Sequence, residues 1–514
     1  MKSAVKVSGT HPGDAPRAPQ QPVADTGARP RGASPLDTGV RPRGASPFES
    51  LYEVRKKIYP RAVHGWFAGW RWSLVFLTQL IFYGLPWLQW NDRQAVLFDL
   101  VARKFYVFGL VLWPQDFVYL AVLLVVSALS LFLFTAIAGR LWCGYACPQT
   151  VYTEIFLWIE RRIEGDRAAR MRLDTAPWRS RKLLLKTAKH AAWIALAAWT
   201  GFTFVGYFTP IHDLLRAAPS LDFGPWESFW IGFYAFATYG NAGFMREQVC
   251  KYMCPYARFQ SAMFDPDTLV ITYDRERGEP RGSRGRKADA KAKGLGDCVD
   301  CSICVQACPV GIDIRDGLQY ECTGCAACID GCNQVMDKMG YARGLIRYST
   351  ENAVKRHWGA RQIVARVLRP RVLVYSSILG AIAAAAGVSL WVRTPLKLDI
   401  MRDRAAISRQ IDEDHVENVY RLQVMNTDER SHRFTLSVEG SSHLGHVEVA
   451  PDTPENFHQI GPTSSRIIVL RVQAVPHDAG EGSHPIVFEL KTVDGEGPDI
   501  TLHERSRFMV PRQR

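Results

Sequence analysis

The chain has no spare cysteine. All twelve lie in four motifs of fixed spacing, so none remains for a structural disulfide. There is no CxxCH to hold haem covalently and no GxGxxG to hold a dinucleotide. His190 and His212 stand at opposite ends of one apolar run and His64 stands before another, so a paired-histidine haem has no support. The N-terminus lacks the apolar stretch of a secretory signal. It carries instead a Pro/Gly/Ser/Arg repeat, Thr26 to Pro35 and again Thr38 to Pro47, which cannot bury enough apolar surface to offset the entropy of ordering. Residues 1–49 read as a disordered cytoplasmic leader.

What is present is uneven. A mean hydropathy of −0.09 averages stretches that are almost wholly apolar with others that are densely charged. A spanning helix needs about 20 mainly apolar residues. Five stretches qualify: Trp72 to Trp90, Phe117 to Ala138, Ala188 to Phe208, Trp226 to Phe244 and Val372 to Val392. Phe105 to Pro114 is too short to span, and its aromatic residues suit the membrane interface. The net charge of +13 does not point to nucleic acid, because the basic residues flank these spans. Arg55, Lys56, Lys57, Arg61 and Arg71 precede the first. Arg161, Arg162, Arg167, Arg170, Arg172, Arg179, Arg181, Lys182 and Lys186 follow the second, and only Arg216 lies between the third and fourth. Placing the basic segments inside predicts five spans with the N-terminus in and the C-terminus out.

Eight cysteines form two runs, Cys298-x2-Cys301-x2-Cys304-x3-Cys308-Pro309 and Cys322-x2-Cys325-x2-Cys328-x3-Cys332. In such a run three thiolates hold one cubane and the fourth crosses to the other. One [4Fe–4S] cluster is expected on Cys298, Cys301, Cys304 and Cys332, the other on Cys322, Cys325, Cys328 and Cys308. The second run ends in Asn333 instead of proline, which touches no ligand. CxxC pairs also bind zinc, but the doubled four-cysteine pattern favours clusters. Cluster potentials range from roughly −700 to +450 mV, so spacing leaves the direction of electron flow open.

The other four cysteines repeat a rarer pattern, Cys143-x3-Cys147-Pro148 and Cys250-x3-Cys254-Pro255, each just past the cytoplasmic end of an expected span. On a continuing helix, residues four apart share a face. Two such ends meeting across a pseudo-twofold would gather four thiolates. Soft thiolates favour Cu(I), zinc or an iron–sulfur cluster, and a dithiol/disulfide couple is a further option.

The remaining segments complete the expected plan. Residues 50–256 form a four-span membrane region and residues 257–355 a cytoplasmic ferredoxin-like domain behind a flexible linker, Tyr273 to Lys293. Residues 372–392 form the fifth span. Tyr420 to Val424, Phe434 to Val438, Arg466 to Leu470 and Ile486 to Leu490 are short alternating runs that predict a β-sandwich over residues 394–514, periplasmic by the topology. The fold class is a multi-domain, α-helical membrane protein with these two domains attached.

The sequence closely resembles the FixG/RdxA/CcoG family, accessory factors for cbb3-type cytochrome oxidase. The resemblance rests on Trp90 to Asp99, Leu141 to Thr150, Phe156 to Asp166, Thr200 to Pro210, Cys250 to Gln260, Gly311 to Cys322 and Gly340 to Asn352. Asp92 stands where the family pattern has glycine, and residues 1–49 fall outside the resemblance. It implies an Ig-like fold for the C-terminal β region and two [4Fe–4S] clusters on the eight cysteines above. It also implies copper handling for oxidase assembly, with Cu(II) reduced to Cu(I) and with Cys143, Cys147, Cys250 and Cys254 as the catalytic, copper-contacting candidates. The implied partners are copper ions, an unidentified electron donor, oxidase assembly factors or subunits, and membrane lipid, in a bacterial inner membrane and without nucleic acid. Ligand softness agrees, since thiolates favour Cu(I) over Cu(II). Two rivals remain: an electron conduit without copper, and a non-enzymatic assembly scaffold.

Overall fold

The computed structural model describes residues 57–511, apart from 287, 289–291, 403–407, 412–414, 441–443, 445–446, 450–457, 476–479 and 494–499. The leader expected over residues 1–49 lies outside the described residues.

The first long helix, α1 (Trp66–Gly84), leads into a small antiparallel sheet of β1 (Val96–Asp99), β2 (Lys104–Val107) and β3 (Leu110–Leu112). The stretch read as an interfacial segment is thus strand. Leu97, Tyr106, Val111 and Trp113 form a core of their own with Met425, which a lone interfacial segment would not have. Next come α2 (Phe117–Ala138), the single turn α3 (Leu141–Tyr145) and α4 (Pro148–Glu164). Then follow α5 (Ser180–Val205) and α6 (Pro225–Thr238), the latter extended by wide helical turns at Tyr239–Met245 and Val249–Met253. The short α7 (Pro255–Met263) leads to the iron–sulfur segment, and α10 (Pro370–Trp391) follows that segment. Two of these helices, Pro114–Ala138 and α10, are long and apolar enough to cross a membrane, and almost none of either is buried.

Helix α4 lies along α5 in the opposite direction. Phe156 stacks on Trp193 with centroids 5.1 Å apart. One turn on, buried Glu160 accepts from Arg170 at 3.0 Å and from Arg246 at 2.7 Å. Glu164 pairs with Lys189 at 3.1 Å and Lys186 at 2.9 Å. Four cations around two buried carboxylates leave each carboxylate paired more than once.

The ferredoxin-like segment is built from β4 (Val270–Tyr273) paired with β5 (Ile346–Ser349), and from α8 (Ile303–Ala307) packed on α9 (Ala327–Met339). Its core combines Ile271, Ile329, Met336, Leu345 and Ile346 with four of the cysteines, Cys298, Cys304, Cys328 and Cys332. The stretch read as a flexible linker is tethered where it is described. Arg277 pairs with Asp297 at 2.6 Å and reaches Arg343 O at 3.1 Å. Arg284 donates to Gly296 O at 2.6 Å and to Tyr341 Oη at 3.1 Å. The guanidinium forks satisfy loop carbonyls that have no strand partner, so this arginine-rich stretch is structural. Asp330 of α9 accepts from the backbone N–H of Ala68 at 2.7 Å, placing a carboxylate at the N-terminus of α1.

After α10 the chain forms two packed antiparallel sheets. One contains β6 (Leu396–Arg402), β7 (Val416–Asn426), β9 (Val447–Val449) and β11 (Ser465–Ala474) in the order β9-β11-β7-β6, and the short strand Arg409–Gln410 also pairs with β7. The other contains β8 (His432–Gly440), β10 (His458–Ile460), β12 (Gly482–Thr492) and β13 (Thr501–Val510) in the order β10-β8-β12-β13. Inward Tyr420, Leu422, Phe434, Phe488 and Phe508 fill the space between them. Arg393 holds Asp116, just ahead of α2, at 2.6 Å, and Arg93 holds Glu429 at 2.9 Å.

Candidate functional site

Cys298, Cys301, Cys304 and Cys332 line one small cavity, and Cys308, Cys322, Cys325 and Cys328 line its neighbour, with Cys304 on the wall between them. Helix α8 supplies Cys304 and ends at Cys308, α9 supplies Cys328 and Cys332, and the loops before the two helices supply the rest. Burial pushes the Cys304 and Cys308 thiols up to about 11 and those of Cys322 and Cys332 up to about 12. Thiols so placed stay protonated unless a cation compensates the thiolate. Among the described residues no three His, Cys, Asp or Glu side chains converge on a single metal ion. Four thiols spread around each cavity therefore fit a polynuclear iron–sulfur cluster better than a zinc ion. Bound there, clusters would supply one-electron redox chemistry.

The other two motifs do not continue a helix through both cysteines. Cys143 lies in α3 and Cys250 in a wide turn. Cys147 and Cys254 have extended backbone and are the N-cap residues of α4 and α7, with Pro148 and Pro255 as first helical residues. The shared helical face expected from the spacing is replaced by a break between the two cysteines. Proline is suited to that first position because its missing N–H is unneeded there. The break still gathers the thiols. Burial pushes Cys143 up to about 12, with Cys147 and Cys250 adding to it. Burial likewise pushes Cys250 up to about 11, with Cys147 and Cys254 adding to it. Burial raises Cys147 too, opposed by backbone N–H groups of Gln149 and Thr150 at the start of α4. Each of the four thiols thus lies within electrostatic reach of at least two of the others.

The first pair is joined to the second cluster cavity. A β-carbon on Gly144 would lie 2.8 Å from the backbone N and Cα of Cys325. Gly324, at φ +72°, turns its backbone against the Arg140 carbonyl. Arg140 donates to Tyr320 O and Ala257 O, and Arg71 donates to Cys325 O at 2.5 Å. Tyr348 Oη donates to Gly324 O at 2.5 Å and lies 3.4 Å from Tyr145 Oη. The second pair differs: Tyr252 and Met253 are exposed, and Cys254 opens with them onto a shallow surface pocket. Motif reading named the cysteines and passed over Gly144, Arg140, Arg71 and Tyr348. The available signal was the glycine of Cys143-Gly-Tyr-Ala-Cys147, absent from Cys250-Lys-Tyr-Met-Cys254.

Comparison with known proteins follows these divisions. A 4Fe-4S dicluster domain matches residues 245–351, a 4Fe-4S binding domain matches residues 120–165, and the Ig-like fold at the C-terminus of FixG matches residues 386–511. The nitrogen fixation protein FixG of Rhizobium meliloti is 42% identical over 421 residues, covering 76% of this chain and 80% of its own. Protein RdxA of Cereibacter sphaeroides is 39% identical over 404 residues, covering 77% and 85%. A crystal structure of a FixG-related protein from Vibrio parahaemolyticus, 24% identical, aligns with 23% of this chain and 97% of its own at a TM-score of 0.18. At these identities and coverages the chain belongs to the FixG/RdxA/RdxB family, with that family's 4Fe-4S domains and Ig-like C-terminal domain.

Proposed function

We propose that this chain is an inner-membrane electron-transfer protein that reduces Cu(II) to Cu(I) for assembly of a cbb3-type oxidase. It crosses the membrane five times, with the ferredoxin-like domain in the cytoplasm and the β-sandwich in the periplasm. Electrons enter the ferredoxin-like domain from a separate donor, and the substrate copper ion is held at Cys143, Cys147, Cys250 and Cys254.

The observation that carries this reading is the backbone contact between Gly144 and Cys325. It sets a residue that lies between two of the proposed copper thiols directly against a cluster ligand. Thiolates favour the reduced ion, and Cu(I) is satisfied by two of them, so three-way convergence is not required. Copper reaches the thiols through the pocket lined by exposed Met253 and half-buried Cys254.

The test is anaerobic Cu(II) reduction by dithionite-reduced protein with a Cu(I)-specific chelator present. Wild type is compared with the quadruple variant Cys143→Ser/Cys147→Ser/Cys250→Ser/Cys254→Ser, both with full iron content in the ferredoxin-like domain. Loss of reduction in the variant supports the reading, and equal rates reject it.

A second reading has its own support. The 4Fe-4S binding domain matched to residues 120–165 includes Cys143 and Cys147, so the four thiols would hold a third cluster in a conduit without copper. Iron content separates the two: two four-iron clusters give about eight atoms per chain and three give about twelve.

A further inference from the structure

A cleft of about 790 Å³ runs between α1 and α4. One stripe of α1 lines it, from Ala68 and Arg71 through Trp72, Val75 and Phe76 to Tyr83. Its other wall is α4, and at one side it reaches Gly144, Cys250 and Cys325. The volume lies in the range of small-molecule sites, about 300–1,000 Å³.

Charge within the cleft is unequal. Six arginines line it (Arg61, Arg71, Arg161, Arg162, Arg170 and Arg246) against two glutamates, Glu154 and Glu247. Arg170 and Arg246 share the single carboxylate of Glu160 behind the wall. Arg161 has Glu154 only at 3.8 Å, and Arg162 lies over the Trp158 ring at 5.4 Å. Burial holds the Arg161 guanidinium below its ordinary value, and Arg170, Arg71 and Arg162 press it lower against the pull of Glu154. The arginine end of the cleft is therefore short of negative charge, while the α1 stripe beyond it is apolar and aromatic.

We propose that the cleft is a binding site for an acidic phospholipid, its phosphate among Arg71, Arg161 and Arg162 and one acyl chain along Val75, Phe76 and Tyr83. This rests on the reading of α1 as a membrane span with its Trp66 end in the cytoplasm. Basic pockets beside membrane helices at the cytoplasmic face take such head groups, and guanidinium forks match phosphate oxygens. A neutral isoprenoid quinone would fill the apolar part and leave the arginine charge uncompensated. The bound phosphate would also meet Arg71, whose guanidinium holds Cys325 O, so lipid binding would stiffen the seat of the second cluster loop.

The experiment is native mass spectrometry of the full-length protein after exchange into detergent with added phosphatidylglycerol or phosphatidylcholine. Iron content is checked in each sample. Wild type should retain one phosphatidylglycerol, and phosphatidylcholine at least tenfold less. Arg161→Gln/Arg162→Gln should lose the adduct, and Arg161→Lys/Arg162→Lys should keep most of it. Equal retention in the glutamine variant, equal retention of phosphatidylcholine, a co-purified quinone in place of the phospholipid, or displacement by millimolar inorganic phosphate would each overturn the site. Release of the protein from membranes by alkaline carbonate would overturn the span reading and the lipid site together. Protein that stays embedded but fails the adduct test would overturn the lipid site alone.

Discussion

Gly144 touches the backbone of Cys325, leaving 2.8 Å where a β-carbon would go. The atoms in the way are main chain and cannot swing aside. Gly144→Ala should therefore shift α3 away from the cluster loop, and Gly144→Val more so. Under the copper reading, we expect iron content within a tenth of wild type and copper reduction slowed about tenfold or more, since ~1.4 kcal/mol of misplacement is a factor of ten. Stopped-flow reduction with the chelator present checks this, and unchanged rates would remove the contact from the electron path.

The partition of cysteines between the cavities makes a second expectation. Cys301→Ser should perturb one cluster and Cys325→Ser the other, each leaving about four iron atoms in the ferredoxin-like domain. Low-temperature electron paramagnetic resonance of the reduced variants should show two different residual signals. Identical residual spectra would mean that the ligand sets are assigned wrongly.

Glu160 is buried and held by three cations. Burial would raise its carboxyl, but Arg246, then Arg170 and Lys189, hold it below the ordinary glutamate value of 4.5. A depressed folded value contributes stability above the unfolded value and loses it as pH falls through the folded one. Glu160→Gln should cost about 3 kcal/mol near neutral pH, because cations are left buried without a partner. The difference from wild type should shrink as pH falls below about 4.5. Thermal melts in detergent at several pH values measure both, and a pH-independent difference would contradict the network.

Met253 is 55% exposed beside Cys254. Under the copper reading, its thioether is a soft contact near the mouth of the thiol site. Met253→Leu keeps the bulk and removes the sulfur, so Cu(I) retention should fall several-fold with little change in stability. Chelator competition measures it, and unaltered retention would leave Met253 as surface only.

Spacing carried much of this molecule in its sequence. A long apolar run marks a spanning helix, and α2 and α10 begin and end close to the runs read as the second and fifth spans. The β-rich alternation after Thr394 likewise appears as two packed sheets. Contacts between distant segments were not legible. Nothing in Phe105 to Pro114 says that Val96–Asp99 will pair with it, and nothing in the arginines of 277 and 284 says that loop carbonyls await them. The break at Cys147 and Cys254 was legible in part. Proline after each cysteine is a first-residue signal for a helix, and it outranks the four-residue spacing that implied continuity.

The two Cys-Pro helix starts are one phrase written twice, yet they have different neighbours. Tyr145 is 7% exposed and faces inward toward Tyr348, whereas Tyr252 is 65% exposed at a surface pocket. A site so built has a closed wall on one side and an open doorway on the other. The two copies are consequently not interchangeable. Exchanging Gly144 for the lysine of the second copy, while giving position 251 the glycine, would keep every sulfur and still set a long cation against the closed wall.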